Sequence, residues 1–312
     1  MTRTYRKPVA IVSWAEFVTP EEPARNEVEM LLPVIAEAKQ KIGIQQSDID
    51  FTVSGSSDYL QGYPFAFVGA LDAVGAWPPI MESHLEMDGA FALAEAVEVL
   101  QHEGIDTALV YAFARPTRGE LDRILALQLD PYVVAPLWPD ARSLAGLQAQ
   151  AMRDSGRFGD VPDVPPSFVA DGAVAVILAT GDRARALTDR PAWIRGIDHR
   201  IEAPALGTRD LTQSPSTRIA AEHIGALGAS ADAAFLHAPY PHQALVLREA
   251  LQLNGTRVDA GTGPTMVGGL QRLVLGAQAV ANGDAQRAIA HATSGPCLQQ
   301  NLVALLEGEA AA

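Results

Sequence analysis

The strongest constraint on this chain is an order of apolar strands and amphipathic helices that runs through twice. Residues 10–15, 50–54, 107–113 and 172–179 are β-rich apolar runs closed by turn residues. Between them, 26–42 carries Val28, Leu31, Leu32, Ile35 and Ala38, and 90–101 carries Leu93, Ala96, Val97 and Leu100, each at the spacing of one helix face. The second half repeats the scheme, with strands over 193–201, 233–237, 287–293 and 302–307 and helices over 215–227, 243–253 and 266–282. From Ile11 to Phe51 is about 40 residues, and from Phe51 to Ala108 about 57; the matching steps from Arg195 to Ala234 and on to Ile289 are about 39 and 55. This predicts an α/β fold of two duplicated halves, 1–185 and 186–312, with mostly buried strands. After Phe113 the first half runs about 55 residues before its last strand, so 115–170 reads as an insertion. It holds a helix over 141–155 and a proline-rich stretch over 161–167, and an excursion of that length is the kind that covers a site.

Composition excludes several classes. With 48% hydrophobic and 19% charged residues the chain can bury a core, and disorder is excluded as its dominant state. No apolar run is long enough for a membrane span, and the opening MTRTYRKPVAIVSWAEF reads as a first strand, not a secretory signal. The net charge of −14 and the lack of a Lys/Arg cluster argue against a nucleic-acid partner. Cys297 is the sole cysteine, which excludes an intrachain disulfide and a cysteine metal cluster and fits the cytoplasm. The glycine-rich run 261–269 lacks both the dinucleotide and the P-loop order, and reads as a tight turn before a helix.

Four segments carry a family resemblance. SHLEMDGAFALAEAVEVLQHEGIDTALVYAF resembles the nucleophile strand-to-helix segment of the thiolases, and ADGAVAVILA their Asp-Gly-Ala strand. FLHAPYPHQALVLREAL is similar to the His-Asp-Cys-Phe segment of sterol-carrier-type thiolases, and SGPCLQQNLVALLEG to their C-terminal strand. The resemblance covers nearly the whole chain in order. It implies the five-layer αβαβα thiolase-like fold and a homodimer. It also exposes losses: Glu86 stands where the nucleophilic cysteine belongs, and Gly263, or Gly269 in a shifted alignment, stands at the histidine of the Gly-His-Pro segment. His237 keeps the histidine of the His-Asp-Cys-Phe segment, followed by Ala238, Pro239 and Tyr240.

Thiolysis and Claisen condensation need a thiolate acyl carrier and a base, so thiolase acyltransfer is expected to be absent. Cys297 reads as a small buried residue starting the last strand. The candidate site residues are Glu86, as a general base ahead of a helix capped by Asp88; His237, as an oxyanion donor at a strand end; and Tyr240 and His242 beside it. His84, Glu86 and Asp88 alternate on one strand face, but Asp88 is needed as the cap and no metal is expected. Arg115, Arg118, Arg123 and Arg142 are available for a CoA phosphate. No cofactor is expected beyond a CoA thioester as substrate. The resemblance extends to actinobacterial lipid-transfer-type proteins that act as retro-aldolases on β-hydroxyacyl-CoA thioesters of sterol side chains. It implies a separate zinc-ribbon/OB-fold partner protein. The rival expectation is a non-catalytic subunit that scaffolds an active thiolase-like paralogue or binds acyl-CoA.

Overall fold

The computed structural model describes residues 5–20, 25–228 and 230–309. The first half runs β1 (Val9–Thr19), α1 (Glu27–Lys41), β2 (Phe51–Gly55), α2 (Asp58–Gln61), α3 (Ala66–Val74), β3 (Glu82–Leu85), α4 (Gly89–Val99) and β4 (Thr107–Ala114). The insertion contributes α5 (Leu121–Leu127) and α6 (Ala141–Ser155) before β5 (Asp171–Thr180), and α7 (Gly181–Leu187) follows. The second half runs β6 (Ala192–Ile201), α8 (Pro215–His223), β7 (Ala233–His237), α9 (Gln243–Ala250), β8 (Arg257–Gly261), α10 (Gly268–Asn282), β9 (Arg287–Ser294) and β10 (Gln300–Glu307).

The strand order is β3-β2-β4-β5-β1-β6-β10-β9-β7-β8, so each half of the sheet has the same internal order, mirrored about the centre. β2 pairs in parallel with β3 and β4, as β7 does with β8 and β9; the remaining pairs are antiparallel. The halves join where Val9, Ala10 and Ile11 of β1 pair with Ile194, Trp193 and Ala192 of β6. Helices α4 and α10 pack on each other and on strands of both halves in one continuous apolar cluster. Helices α1 and α3 cover the outer face of the first half, and α8 and α9 that of the second. The result is the α/β fold in five layers, αβαβα.

Local chemistry explains the elements. Asn26 and Glu29 form a reciprocal capping box that starts α1. Its buried stripe is Met30, Leu31, Val34, Ile35 and Ala38, and Leu32, which the spacing placed on that face, is exposed. The true face is rotated by about one residue, because both 3 and 4 steps fit a short apolar pattern. Helix α4 is buried almost all round, as a middle layer must be. The helix expected over 215–227 ends at His223, with Gly225 in a left-handed conformation just beyond. β3 and β8 escape the apolar pattern because they are the sheet's edges: β3 is half-buried throughout, and β8 is largely exposed.

One carboxylate joins the two central helices. Asp88 caps α4 by accepting the Ala90 N–H at 2.9 Å, and reaches across to accept the Gly269 N–H at 2.9 Å and the Leu270 N–H at 3.0 Å at the start of α10. α10 has no side-chain cap of its own from Val267, so Asp88 supplies it. The Gly89 N–H closes the junction on the Met266 carbonyl at 3.0 Å. Gly89 has no space for a side chain here: a Cβ would lie 2.5 Å from the Ala112 Cβ. We expect Asp88→Ala, which orphans three buried N–H groups, to destabilise the fold by about 3 kcal/mol in urea unfolding at pH 7.5, and Asp88→Asn to cost less. An unchanged midpoint for Asp88→Ala would refute the clasp.

Candidate functional site

A cavity of about 350 Å³ opens where the C-terminal ends of β7, β9 and the approach to α4 meet the insertion. Its polar wall includes Glu86, Ser167, His237, Tyr240, Thr293 and Gln300. Its apolar wall comes largely from the insertion, including Leu121, Leu125, Leu129, Leu144 and Phe168. Met87 and Met266 line the cavity without filling it. Three of the four sequence-predicted site residues, Glu86, His237 and Tyr240, are therefore brought to one space.

His242 is not. It lies at the head of α9, fully buried, with its ring stacked on Tyr240 at 6.2 Å and neither nitrogen hydrogen-bonded to a protein group. The turn that leads into α9 places it behind Tyr240, outside the cavity lining. Burial pushes its pKa down to about 4, with Arg153 adding to the shift.

His237 ends β7, and its Nδ1 accepts the Thr293 N–H at 3.5 Å. Burial, with His291 and Arg272 nearby, pushes its pKa down to about 3, so the ring is neutral. With Nδ1 accepting, the hydrogen sits on Nε2, which is a donor. Nε2 lies over Gly268, where a Cβ would come within 2.8 Å of it. Gly263 is crowded in turn: a Cβ would lie 2.6 Å from the Gly268 Cα, so no histidine side chain fits there without backbone movement.

Glu86 sits at the cavity rim and is exposed. Its Oε1 accepts the Asp58 N–H at 2.7 Å, and its Oε2 faces His84 Nε2 at 3.5 Å. Asp88 turns inward to the helix ends as their cap, away from His84 and Glu86. Asp58 stands beside them instead: one ligand atom each from Asp58, His84 and Glu86 lie within 4.8 Å of one another, a donor set able to hold a divalent cation. Both Asp58 oxygens already accept backbone N–H groups, from Phe65 and Ala66 at 2.8 Å, and His84 Nδ1 pairs with Ser54 Oγ at 2.9 Å.

Tyr240 is buried, and burial raises its phenol. Its hydroxyl meets Ser167 Oγ at 3.2 Å, and Ser167 donates to Asp122 Oδ1 at 2.9 Å. Neither Ser167 nor Asp122 was legible in the sequence. Thr293 and Gln300 were findable, since they lie at the facing ends of adjoining strands. Cys297 lies in the turn before β10 rather than at the strand's start, and it lines the cavity. Its thiol donates to the Leu144 carbonyl at 3.3 Å, and burial pushes it up to about 11. Of the insertion arginines, Arg115 pairs inward with Glu27 at 3.1 Å, Arg123 with Glu120 at 3.9 Å, and Arg142 donates to the Val164 carbonyl. None lines the cavity.

No family model matches the chain, and no curated protein matches it. Solved structures do. Human mitochondrial 3-ketoacyl-CoA thiolase in complex with CoA superposes with a TM-score of 0.72 at 15% identity, covering 99% of this chain and 100% of that one. The Ltp2-ChsH2(DUF35) aldolase gives 0.73 at 13% identity, covering 97% and 98%. The architecture is that of the thiolase fold, at identities that define the fold alone. No helix among the described residues is long and apolar enough to cross a membrane.

Three histidines are buried neutral: His237 near 3, and His242 and His291 near 4. In the unfolded chain each takes a proton near 6.5, so their contribution is complete above that pH and is lost as pH falls toward 4. Asp88, raised to about 6 by burial, acts oppositely, its contribution being lost as pH rises through 6. Three groups outweigh one, and the urea midpoint is expected to fall between pH 7 and pH 4.5. A midpoint that rises over this range would contradict the assignment.

Proposed function

We propose that this protein binds acyl-CoA and cleaves the carbon–carbon bond of a β-hydroxyacyl-CoA by a retro-aldol reaction, without an acyl-enzyme. The observation that carries the reading is one cavity shared by Glu86, His237 and Tyr240, whose only thiol, Cys297, is held protonated at neutral pH. Retro-aldol chemistry needs no thiolate. A base takes the β-hydroxyl proton, the Cβ–O bond becomes a carbonyl, and the Cα–Cβ bond breaks. Its electron pair passes into the thioester enolate, whose carbon then takes up a proton from water. Glu86 or Tyr240 serves as the base, and the His237 Nε2–H stabilises the enolate oxygen. The apolar insertion wall suits a lipid or steroid side chain. Crowding at Gly263 supports the absence of thiolase chemistry, and the thiolase with CoA and the aldolase among the structural neighbours support the substrate class. The duplicated halves, 1–185 and 186–312, and a cytoplasmic location belong to the same reading.

A second observation bears on partners. Beside the unpaired edge strand β3 lie exposed Phe65, Val68, Trp77 and Met81, whereas the opposite edge, β8, carries Arg257 and Asp259. The β3 edge is thus the one suited to pairing, with a second copy of this chain or a thiolase-like paralogue. The same face favours the scaffold reading if the paralogue carries all activity. A zinc-ribbon/OB-fold partner, as in the resembling aldolases, would complete the acyl-CoA site.

The test is release of a shortened acyl-CoA and a carbonyl product from synthetic β-hydroxyacyl-CoA, with and without co-purified partner. We expect His237→Ala to lower kcat by about 100-fold and no acyl adduct on the intact protein by mass spectrometry. A covalent acyl adduct, or activity confined to a bound cysteine-bearing subunit, would overturn the proposal. Light scattering is expected to show a dimer or heteromer, reduced to monomer by Trp77→Glu with Phe65→Glu.

A further inference from the structure

The retro-aldol reading leaves open which group takes the hydroxyl proton, and the phenol of Tyr240 is a poor base alone, since burial holds its proton more tightly. Its surroundings supply what it lacks. Ser167, in the proline-rich stretch of the insertion, lines the cavity beside Tyr240. Ser167 Oγ lies 2.9 Å from Asp122 Oδ1, and an ionised carboxylate only accepts, so the serine hydrogen points at Asp122. The serine oxygen then has its lone pairs for Tyr240, whose hydroxyl is 3.2 Å away and must donate. The direction of the chain is fixed from its far end. Tyr240 thus gives its hydrogen to Ser167, and its oxygen keeps a lone pair with which to accept from a substrate hydroxyl in the cavity that it lines. Asp122, on α5, is exposed and outside the cavity lining.

We propose, on the retro-aldol reading, that Tyr240, Ser167 and Asp122 form a proton relay that carries the substrate's β-hydroxyl proton from the cavity to bulk water. The hydroxyl proton passes to the Tyr240 oxygen as the tyrosine's own hydrogen moves to Ser167 and the serine's to Asp122. The neutral Asp122 then loses its proton to water. No bond other than O–H changes along the chain, and no further reactant is required. Tyr240 is the catalytic residue; Ser167 and Asp122 are positioning residues that act through it. The charged and titratable groups facing Tyr240 are Asp122 on α5, Asp140 and Arg142 at the start of α6, and His242 on α9. Asp140 is occupied by the Ser143 N–H and hydroxyl, and Arg142 by a backbone carbonyl, which leaves Asp122 as the terminus.

The relay is tested with and without turnover. In the free protein labelled with ¹³C at tyrosine Cζ, the Tyr240 resonance is identified by its loss in Tyr240→Phe. It is expected to follow an acid-range titration that disappears in Asp122→Asn and in Ser167→Ala. With β-hydroxyacyl-CoA, both variants are expected to lose about 100-fold in kcat, with KM little changed. Asp122→Glu should restore most of the rate, and the acid limb of the kcat–pH profile should vanish in Asp122→Asn. If the tyrosine signal ignores Asp122, or if the protein cleaves substrate and Asp122→Asn keeps the wild-type rate and acid limb, the relay is wrong and the retro-aldol reading stands or falls separately. If the titration is coupled but the protein cleaves no β-hydroxyacyl-CoA, the hydrogen-bonded chain stands as a conduit and its assignment to this reaction is overturned.

Discussion

The architecture depends on one buried carboxylate. Asp88 accepts hydrogen bonds from the starts of both α4 and α10, so the two helices of the middle layer share one cap. A helix start leaves N–H groups unpaired, and burial makes each costly unless a partner is supplied. Supplying two starts from one side chain fixes their separation. Close packing through Gly89 then holds the middle layer against Ala112 of β4 and Leu270 of α10. The cavity lies directly beyond this junction, so Glu86 and Met266 are positioned by the same contacts.

The site combines two kinds of wall because two kinds of chain segment meet there. The duplicated scaffold ends its strands at the cavity and contributes polar groups such as His237 and Thr293. The insertion contributes apolar side chains and the hydrogen-bonded pair Ser167 and Asp122 that meets the Tyr240 hydroxyl. A cavity with a donor on one side and a lone-pair oxygen on the other suits a reaction in which negative charge forms on one oxygen as a proton leaves another. The buried, protonated Cys297 does not suit covalent acyl transfer.

The strands and long helices were legible because their burial leaves an apolar period in the sequence: every residue of β4 and β5 is buried, as their unbroken apolar runs suggested. The edge strands were not, because an edge strand exposed to water has no such period. Leu32 shows the limit inside a correct helix, where the face was misjudged by one position. Among site residues, Glu86 and His237 were reachable through family resemblance, and Tyr240 through nearness to His237. His242 was grouped with them on the same ground, but it lies in the turn that leads into α9, which places its ring behind Tyr240 and outside the cavity lining.

What the sequence determined by itself was the order of the buried strands and long helices and the chemical character of the groups at hand: many acids, few lysines and a single cysteine. Those follow from local periodicity and residue type. What only the tertiary structure decided was which groups meet. The Tyr240–Ser167 contact spans 73 positions, and the Asp88–Gly269 contact spans 181. No local pattern encodes pairings at such separations; they arise when the layers pack and bring distant side chains within hydrogen-bonding distance.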